Sequence, residues 1–454
     1  MSRYDKTEAL QELSPEAIQS EVERILASEK FARSKRLRSL LRFTVAQTLQ
    51  GNADILKEYV IGTEVLKKPD SYDPRSDSLV RVLASRLRVK LKEYYSDGGS
   101  DDPLVIEFPK GKYVPRFQRR EQLQTEVEKK LRARNACSQG RFLLTRLSEQ
   151  TLAEAAERFG EAIEADPSWP AAHEGLANVY ALQAVLGFRR AREAWPLARS
   201  QAEATLALDD MSAEAHVVLG MACALHEWRW RDAESHFQKA IERDACSGAA
   251  RLWRALAYLL PLGKTAEAVE EIARARELAS APLLEEGQAL ALYLSGRQQE
   301  ALRRLEESNR AALPVWSAKL RARVLNRLGR AAEAVALLEQ MRQSEPAALL
   351  ADLACSWAAA GEREKAREAM SELRERRAPG RGISACDLAA AETALDNRNE
   401  AAMLLHEALR EREPALAYVA ADPRFEALRG TPKFASLLRR MMLAEDEEIR
   451  AQGA

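Results

Sequence analysis

The feature that most restricts the fold of this chain is a spacing. An alanine, a large apolar residue four positions on and a small residue three further recur in AAERFGEA (Ala155, Phe159, Ala162) and in AESHFQKA (Ala233, Phe237, Ala240). Looser copies start at Ala198, Ala268, Ala301, Ala334, Ala366 and Ala401, so successive copies lie 43, 35, 35, 33, 33, 32 and 35 residues apart. A near-constant period of this length marks a chain built from one repeated supersecondary unit. Small residues let two helices approach closely, and the large residue fills the space between neighbouring units. Segments such as HEGLANVY (173–180) and HVVLGMAC (216–223) supply the first helix of each pair, with Gly220 at a close contact. The Gly-bearing turns SGRQQEA, LGRAAEA and AGEREKA separate the two helices. One such pair cannot bury its own apolar face, so the copies must stack.

Period, pairing and small–large–small pattern together resemble the tetratricopeptide repeat. The resemblance implies a mainly α fold, with an α-solenoid of about eight repeats over 138–420 and a groove for a protein or peptide partner. The first gap of 43 residues places an insertion at 183–194. Within 421–454, DPRFEALRGTPKFASLLRRMM reads as a capping helix over the last repeat, followed by a tail. The alternative to a regular array is an irregular alanine-rich helical domain.

The period is absent from the first 117 residues. Ser14-Pro15 is a good helix start, an N-cap followed by proline in the first turn. Ile18, Val22, Ile25 and Leu26 then share one helical face, and Leu37, Leu40, Leu41, Thr44, Val45 and Thr48 share another over 34–50. A shorter helix is expected at 54–66, carrying Ile55, Leu56, Tyr59 and Val65 inward. After KKPDSYDPRSD comes the most basic helix, N-capped near Ser76 or Asp77, with Leu79, Leu83, Leu87, Leu91 and Tyr94 on its buried face. Its polar side carries Arg81, Ser85, Arg88 and Lys92, flanked by Arg86 and Lys90. Two short β-runs, LVIEF and YVPRF, follow around the turn Pro-Lys-Gly-Lys.

Helices followed by a hairpin are the order of a winged helix-turn-helix. VRVLASRLRVKL is similar to the recognition helix of OmpR/PhoB-type regulators, and PKGKYVPRF stands where that family has its wing. LKEYVIGTEVL, YDPRSD and RLRVKLKEYY also resemble the head of a bacterial group that joins such a domain to tetratricopeptide repeats. The resemblance covers about 15–117 and implies a DNA-binding transcriptional regulator. Arg81, Ser85, Arg86, Arg88 and Lys92 would then face double-stranded DNA, with Lys110, Lys112 and Arg116 on its phosphates. Arginine suits this role because its planar fork grips phosphate or guanine bidentately. The rival is a non-enzymatic scaffold whose winged helix contacts protein.

Charge is compatible with both. The chain is neutral overall, with 69 Lys+Arg against 69 Asp+Glu, but residues 1–120 hold 23 against 18. Residues 30–53 carry six cations and no acid. Between the two parts, 118–137 is expected to be a helical linker with Leu123, Val127 and Leu131 on one face. That face either docks on the first repeat or pairs in a homodimer.

No catalytic or cofactor constellation is legible. LGKT (262–265) ends like a phosphate-binding loop, but Tyr258 stands where the required earlier glycine belongs, and no strand precedes it. Histidines 173, 216, 226, 236 and 406 have no metal-ligand spacing. The five cysteines are scattered and read as reduced. Trp228, Trp230, Trp253, Trp316 and Trp357 read as packing residues. Without an apolar segment at the N-terminus or a membrane-length apolar run, the expectation is a cytoplasmic protein that avoids membranes. For the groove, residues four apart on a first helix are the candidates: Lys319 with Arg323 for an anionic partner, and Glu174 with Asn178.

Overall fold

The computed structural model describes residues 13–279, 282–307, 314–342, 348–376 and 383–443. Residues 1–12 of the expected first domain and 444–454 of the expected tail lie outside them. The chain divides into two compact units between Leu131 and Arg132.

The first unit is helical with one hairpin. Ser14 accepts a hydrogen bond from the Ala17 amide and opens α1 (Pro15–Ala27). A single turn, α2 (Glu29–Ala32), leads to α3 (Lys35–Leu49), and a 3-10 turn (Ala53–Ile55) leads to α4 (Glu58–Glu64). The basic helix is α5 (Leu79–Tyr95), whose first amide, Leu79 N, donates to Asp77 Oδ1 at 2.9 Å. Strands β1 (Leu104–Glu107) and β2 (Arg116–Arg119) pair antiparallel, Ile106 opposite Phe117. Alternation does this work: Leu104 and Ile106 are buried while Glu107 is exposed, as a one-sided strand requires. At the turn, Gly111 takes φ +75°, a conformation glycine adopts without steric cost.

One core holds this unit together, including Ile18, Phe31, Leu40, Leu41, Ile61, Val80, Leu87, Ile106 and Phe117. The six inward residues expected on α3 are all buried. The third helix is shorter than expected, and its inward set is different. Ile55 and Tyr59 are exposed and Ile61 is fully buried, because the 3-10 turn rotates the helix that follows.

The second unit stacks helix pairs. First helices are the end of α6 (Arg120–Leu144), then α8 (Pro170–Val185), α10 (Ala213–Ala222), α12 (Gly248–Trp253), α14 (Pro282–Leu294), α16 (Val315–Arg327), α18 (Leu350–Ala359) and α20 (Ala385–Ala394). Their partners are α7 (Glu149–Ala165), α9 (Ala191–Leu208), α11 (Trp230–Arg243), α13 (Thr265–Leu278), α15 (Gln298–Glu307), α17 (Ala331–Arg342), α19 (Arg363–Arg376) and α21 (Arg398–Glu411). Every alanine of the sequence period sits on a second helix and is fully buried. Phe159 shows why the pattern needs small residues. A Cβ added at Gly140 or Gly175, one on each flanking first helix, would stand 2.9 Å or 2.1 Å from its ring. First helices pack on first helices along the array, as α16 on α18 and α18 on α20, and so form its inner face.

Two boundaries differ from expectation. Gln118 and Arg119 belong to β2, and the helix expected at 118–137 starts at Arg120 and runs on to Leu144, with Ala133, Ala136 and Cys137 in the core of the first pair. On the helix itself, Leu123 is half-buried, and Val127 and Leu131 are 63% and 57% exposed. The largest difference is at the end of the chain. Two 3-10 turns (Pro414–Tyr418 and Pro423–Leu428) and α22 (Pro432–Arg440) do more than cover the last pair. The first turn packs on α8 and on the π-turn Cys223–Glu227 that extends α10, and the second on α20. The segment therefore runs back along the inner face.

Candidate functional site

Two surfaces carry the candidate residues. On the first unit, Ser85, Arg86 and Lys92 of α5 and Lys110, Lys112 and Arg116 of the hairpin are exposed. Arg86, Lys92, Lys110, Lys112 and Arg116 have no ion-pair partner among the described residues. Arg81 is half-exposed and lies 3.5 Å from the Glu58 carboxylate. Val82 and Val89, which the sequence reading left aside, are also exposed on this helix.

Arg88 is a correction. Its Nε donates to Phe108 O at 2.9 Å, and a terminal nitrogen donates to Pro109 O at 2.9 Å and Lys112 O at 3.2 Å. Its guanidinium also lies 5.7 Å from the Phe108 ring centre. All this ties α5 to the hairpin turn and engages the Nε and one terminal nitrogen of the fork that was expected to face DNA.

On the second unit, all four groove candidates already have partners. Glu174 Oε2 accepts from Ser212 Oγ at 2.8 Å. Asn178 hydrogen-bonds Glu214, whose carboxyl is pushed up to about 7 by burial and by the Glu174 charge. Lys319 Nζ sits 2.6 Å from Asp387, and Arg323 Nε sits 2.6 Å from Asp352. The reason is geometric. A residue on a first helix that points along the inner face meets the first helices that follow, which supply carboxylates to Lys319 and Arg323.

The chain's own C-terminal segment completes that cluster. Arg424 reaches Asp387 at 3.0 Å and grips Asp422 at 2.7 Å, while Asp422 accepts from the Tyr293 hydroxyl at 3.3 Å. Lys319, Arg323 and Arg424 thus face Asp352, Asp387 and Asp422, cation for anion. Burial works against ionising Asp387, but Lys319, Arg323 and Arg424 outweigh it and hold its carboxyl well below the usual range. Burial opposes the charge of Asp422 too, and Arg424 and Arg323 keep it low.

Two further anchors fix the segment. Glu413 accepts from Ser384 Oγ (2.7 Å), Ala385 N (2.8 Å) and Cys386 N (3.0 Å), capping α20. Arg412 lies 3.9 Å from the Trp228 ring centre and donates to His226 O at 3.1 Å. The sequence spacing had a signal for the ladder: Lys319, Asp352 and Asp387 follow one another at 33 and 35 residues, one per repeat.

No protein-family model matches the chain, and no curated protein matches its sequence. Solved structures similar to it include a tetratricopeptide repeat protein from Parabacteroides merdae, 16% identical, covering 61% of this chain and 99% of its own, with a TM-score of 0.39. Human IFIT1, solved as a dimer with PPP-AAAA, is 14% identical over 96% of each chain, with a TM-score of 0.48. Yeast Tom70 is 13% identical over 93% of this chain and 90% of its own, with a TM-score of 0.40. Scores at this level say nothing of what this chain binds.

The remaining sequence candidates fall into structural roles. LGKT lies in the turn before α13, with Gly263 at φ +73°. Trp228, Trp230, Trp253 and Trp357 are buried, as is Trp195, which the sequence reading passed over. His216 and His236 do meet, Nδ1 to Nδ1 at 3.0 Å. Even so, the described residues contain no group of three or more His, Cys, Asp or Glu able to hold a metal ion. Among those residues, no helix is long and apolar enough to cross a membrane.

Proposed function

We propose that the chain is an interaction scaffold whose stacked helix pairs hold a protein segment along their inner face. The observation that carries this is the inner face itself, which already accommodates an irregular protein segment through Arg412, Glu413 and Arg424. Backbone amides, an aromatic face and paired charges are the means by which peptides are recognised. In-cell cross-linking of the full chain, mapped by mass spectrometry, tests it. Cross-links to a partner are expected on the first helices of the pairs. A pattern confined to the second helices, or no partner at all, sinks the reading.

A second reading adds DNA binding by the first unit as a transcriptional regulator. It is favoured by the five unpaired cations Arg86, Lys92, Lys110, Lys112 and Arg116 beside exposed Ser85, Val82 and Val89. Valine methyls suit thymine methyl contacts, and unpaired cations suit phosphate. The full chain should bind a mixed-sequence duplex at roughly 50 mM salt, and more weakly as salt rises. No binding at that salt would leave the first unit as a protein-contact module.

A further inference from the structure

The way the C-terminal segment sits on the inner face identifies what that face selects. Its central contact is zwitterionic. Without Asp422 and Arg424, the inner face still balances Lys319 and Arg323 against Asp352 and Asp387. An incoming segment must therefore bring both charges, an acid for the Tyr293 hydroxyl and an arginine for Asp387. The next residue, Phe425, is fully buried, and Arg424 lies 5.7 Å from its ring centre.

The other end of the segment fits less well. Trp228 Nε1 and His226 Nδ1 are buried without a hydrogen-bond partner among the described residues. Arg412, stacked on Trp228, makes no ion pair among the described residues. Burial and the neighbouring Arg440 charge push its pKa down. Unmet polar groups beside an unpaired cation are what a better-matched ligand would relieve.

Building on the scaffold reading above, we propose that the inner face between Trp228 and the Asp352–Asp387 pair is a binding site for a protein segment carrying an acidic residue, an arginine two positions on and then an aromatic residue. Residues 412–429 occupy it as an internal ligand. The partner gains the site by displacing them.

The probe is a fluorescein-labelled synthetic peptide with the sequence of residues 412–429, added to the full chain. In the unaltered chain the tethered segment competes at an effective concentration on the order of mM, so uptake should be weak. In the full chain carrying Arg412→Glu and Arg424→Glu, the groove residues are untouched and the tether is weakened. That variant should bind the peptide at least about tenfold more tightly, and a peptide with Arg424→Glu should not bind. Far-UV circular dichroism and hydrogen exchange at 412–429 accompany the titration. The proposal is overturned by a helical variant that takes up no peptide. It is equally overturned by undiminished protection of 412–429, or by loss of helicity across the array, which would make the segment part of the fold. Partner cross-links elsewhere on the array would keep the scaffold reading alive through any of these failures.

Discussion

The Trp230 indole donates a 2.9 Å hydrogen bond to the carbonyl of Met441, joining positions 211 residues apart. Trp230 opens α11 in the third helix pair, and Met441 directly follows α22, so one contact spans most of the array. Replacing Trp230 with Phe keeps most of the buried ring and orphans the carbonyl, at a cost of about 1–3 kcal/mol. Trp230→Ala should cost about 3–5 kcal/mol. Urea melts give the magnitudes, and faster hydrogen exchange over 432–443 should appear in both variants.

Arg88 and Arg86 are neighbours in sequence with opposite expected phenotypes. Arg88→Ala removes the side-chain donors to three turn carbonyls, of which Pro109 O keeps the Lys112 amide, and should destabilise the first unit by roughly 1–3 kcal/mol, with the hairpin exchanging first. Arg86→Ala should leave the melt unchanged and lower any duplex affinity. Thermal melts paired with anisotropy titrations on the two variants separate the roles. A stable Arg88→Ala protein would refute this assignment.

The inner-face ion cluster makes stability depend on acid. Asp387 and Asp422 have carboxyls held below their unfolded value of about 3.9. Their ionised pairs therefore stabilise fully above that value. The contribution is lost as pH falls through about 4 towards the lower folded values. Asp387→Asn leaves Lys319, Arg323 and Arg424 under-compensated. It should cost roughly 3–5 kcal/mol at pH 7 and flatten the acid limb of a stability–pH curve.

Gly175 stands where a Cβ would lie 2.1 Å from the Phe159 ring. The ring is fully buried and cannot withdraw, so Gly175→Ala should destabilise the array by about 1–3 kcal/mol. Pairing it with Phe159→Leu should recover part of that loss if the clash is the cause. Denaturant midpoints for the two single variants and the double variant measure the coupling.

The repeat array was largely legible because its signal is local and reiterated. Ala155, Phe159 and Ala162 report helix spacing within one unit, and repetition turns a weak pattern into a strong one. The face of α3 was legible for the same reason. The roles of Arg88, Lys319 and Arg323 were not, since each depends on which acceptor the fold carries to it. Helix periodicity places all three on a polar face and cannot distinguish water, DNA or peptide from an internal carbonyl or carboxylate.

Composition and periodicity by themselves determined the mainly helical character and the buried alanines, because side-chain size and spacing act between neighbours. Only the tertiary structure decided that the C-terminal segment returns along the inner face and that Arg424 joins Asp387. That outcome depends on the accumulated rotation of successive pairs, which brings residues 211 positions apart within hydrogen-bonding distance. No local spacing encodes such a sum. The ladder of Lys319, Asp352 and Asp387 stands between the two: its period is written in the chain, and its partners are chosen by the stack.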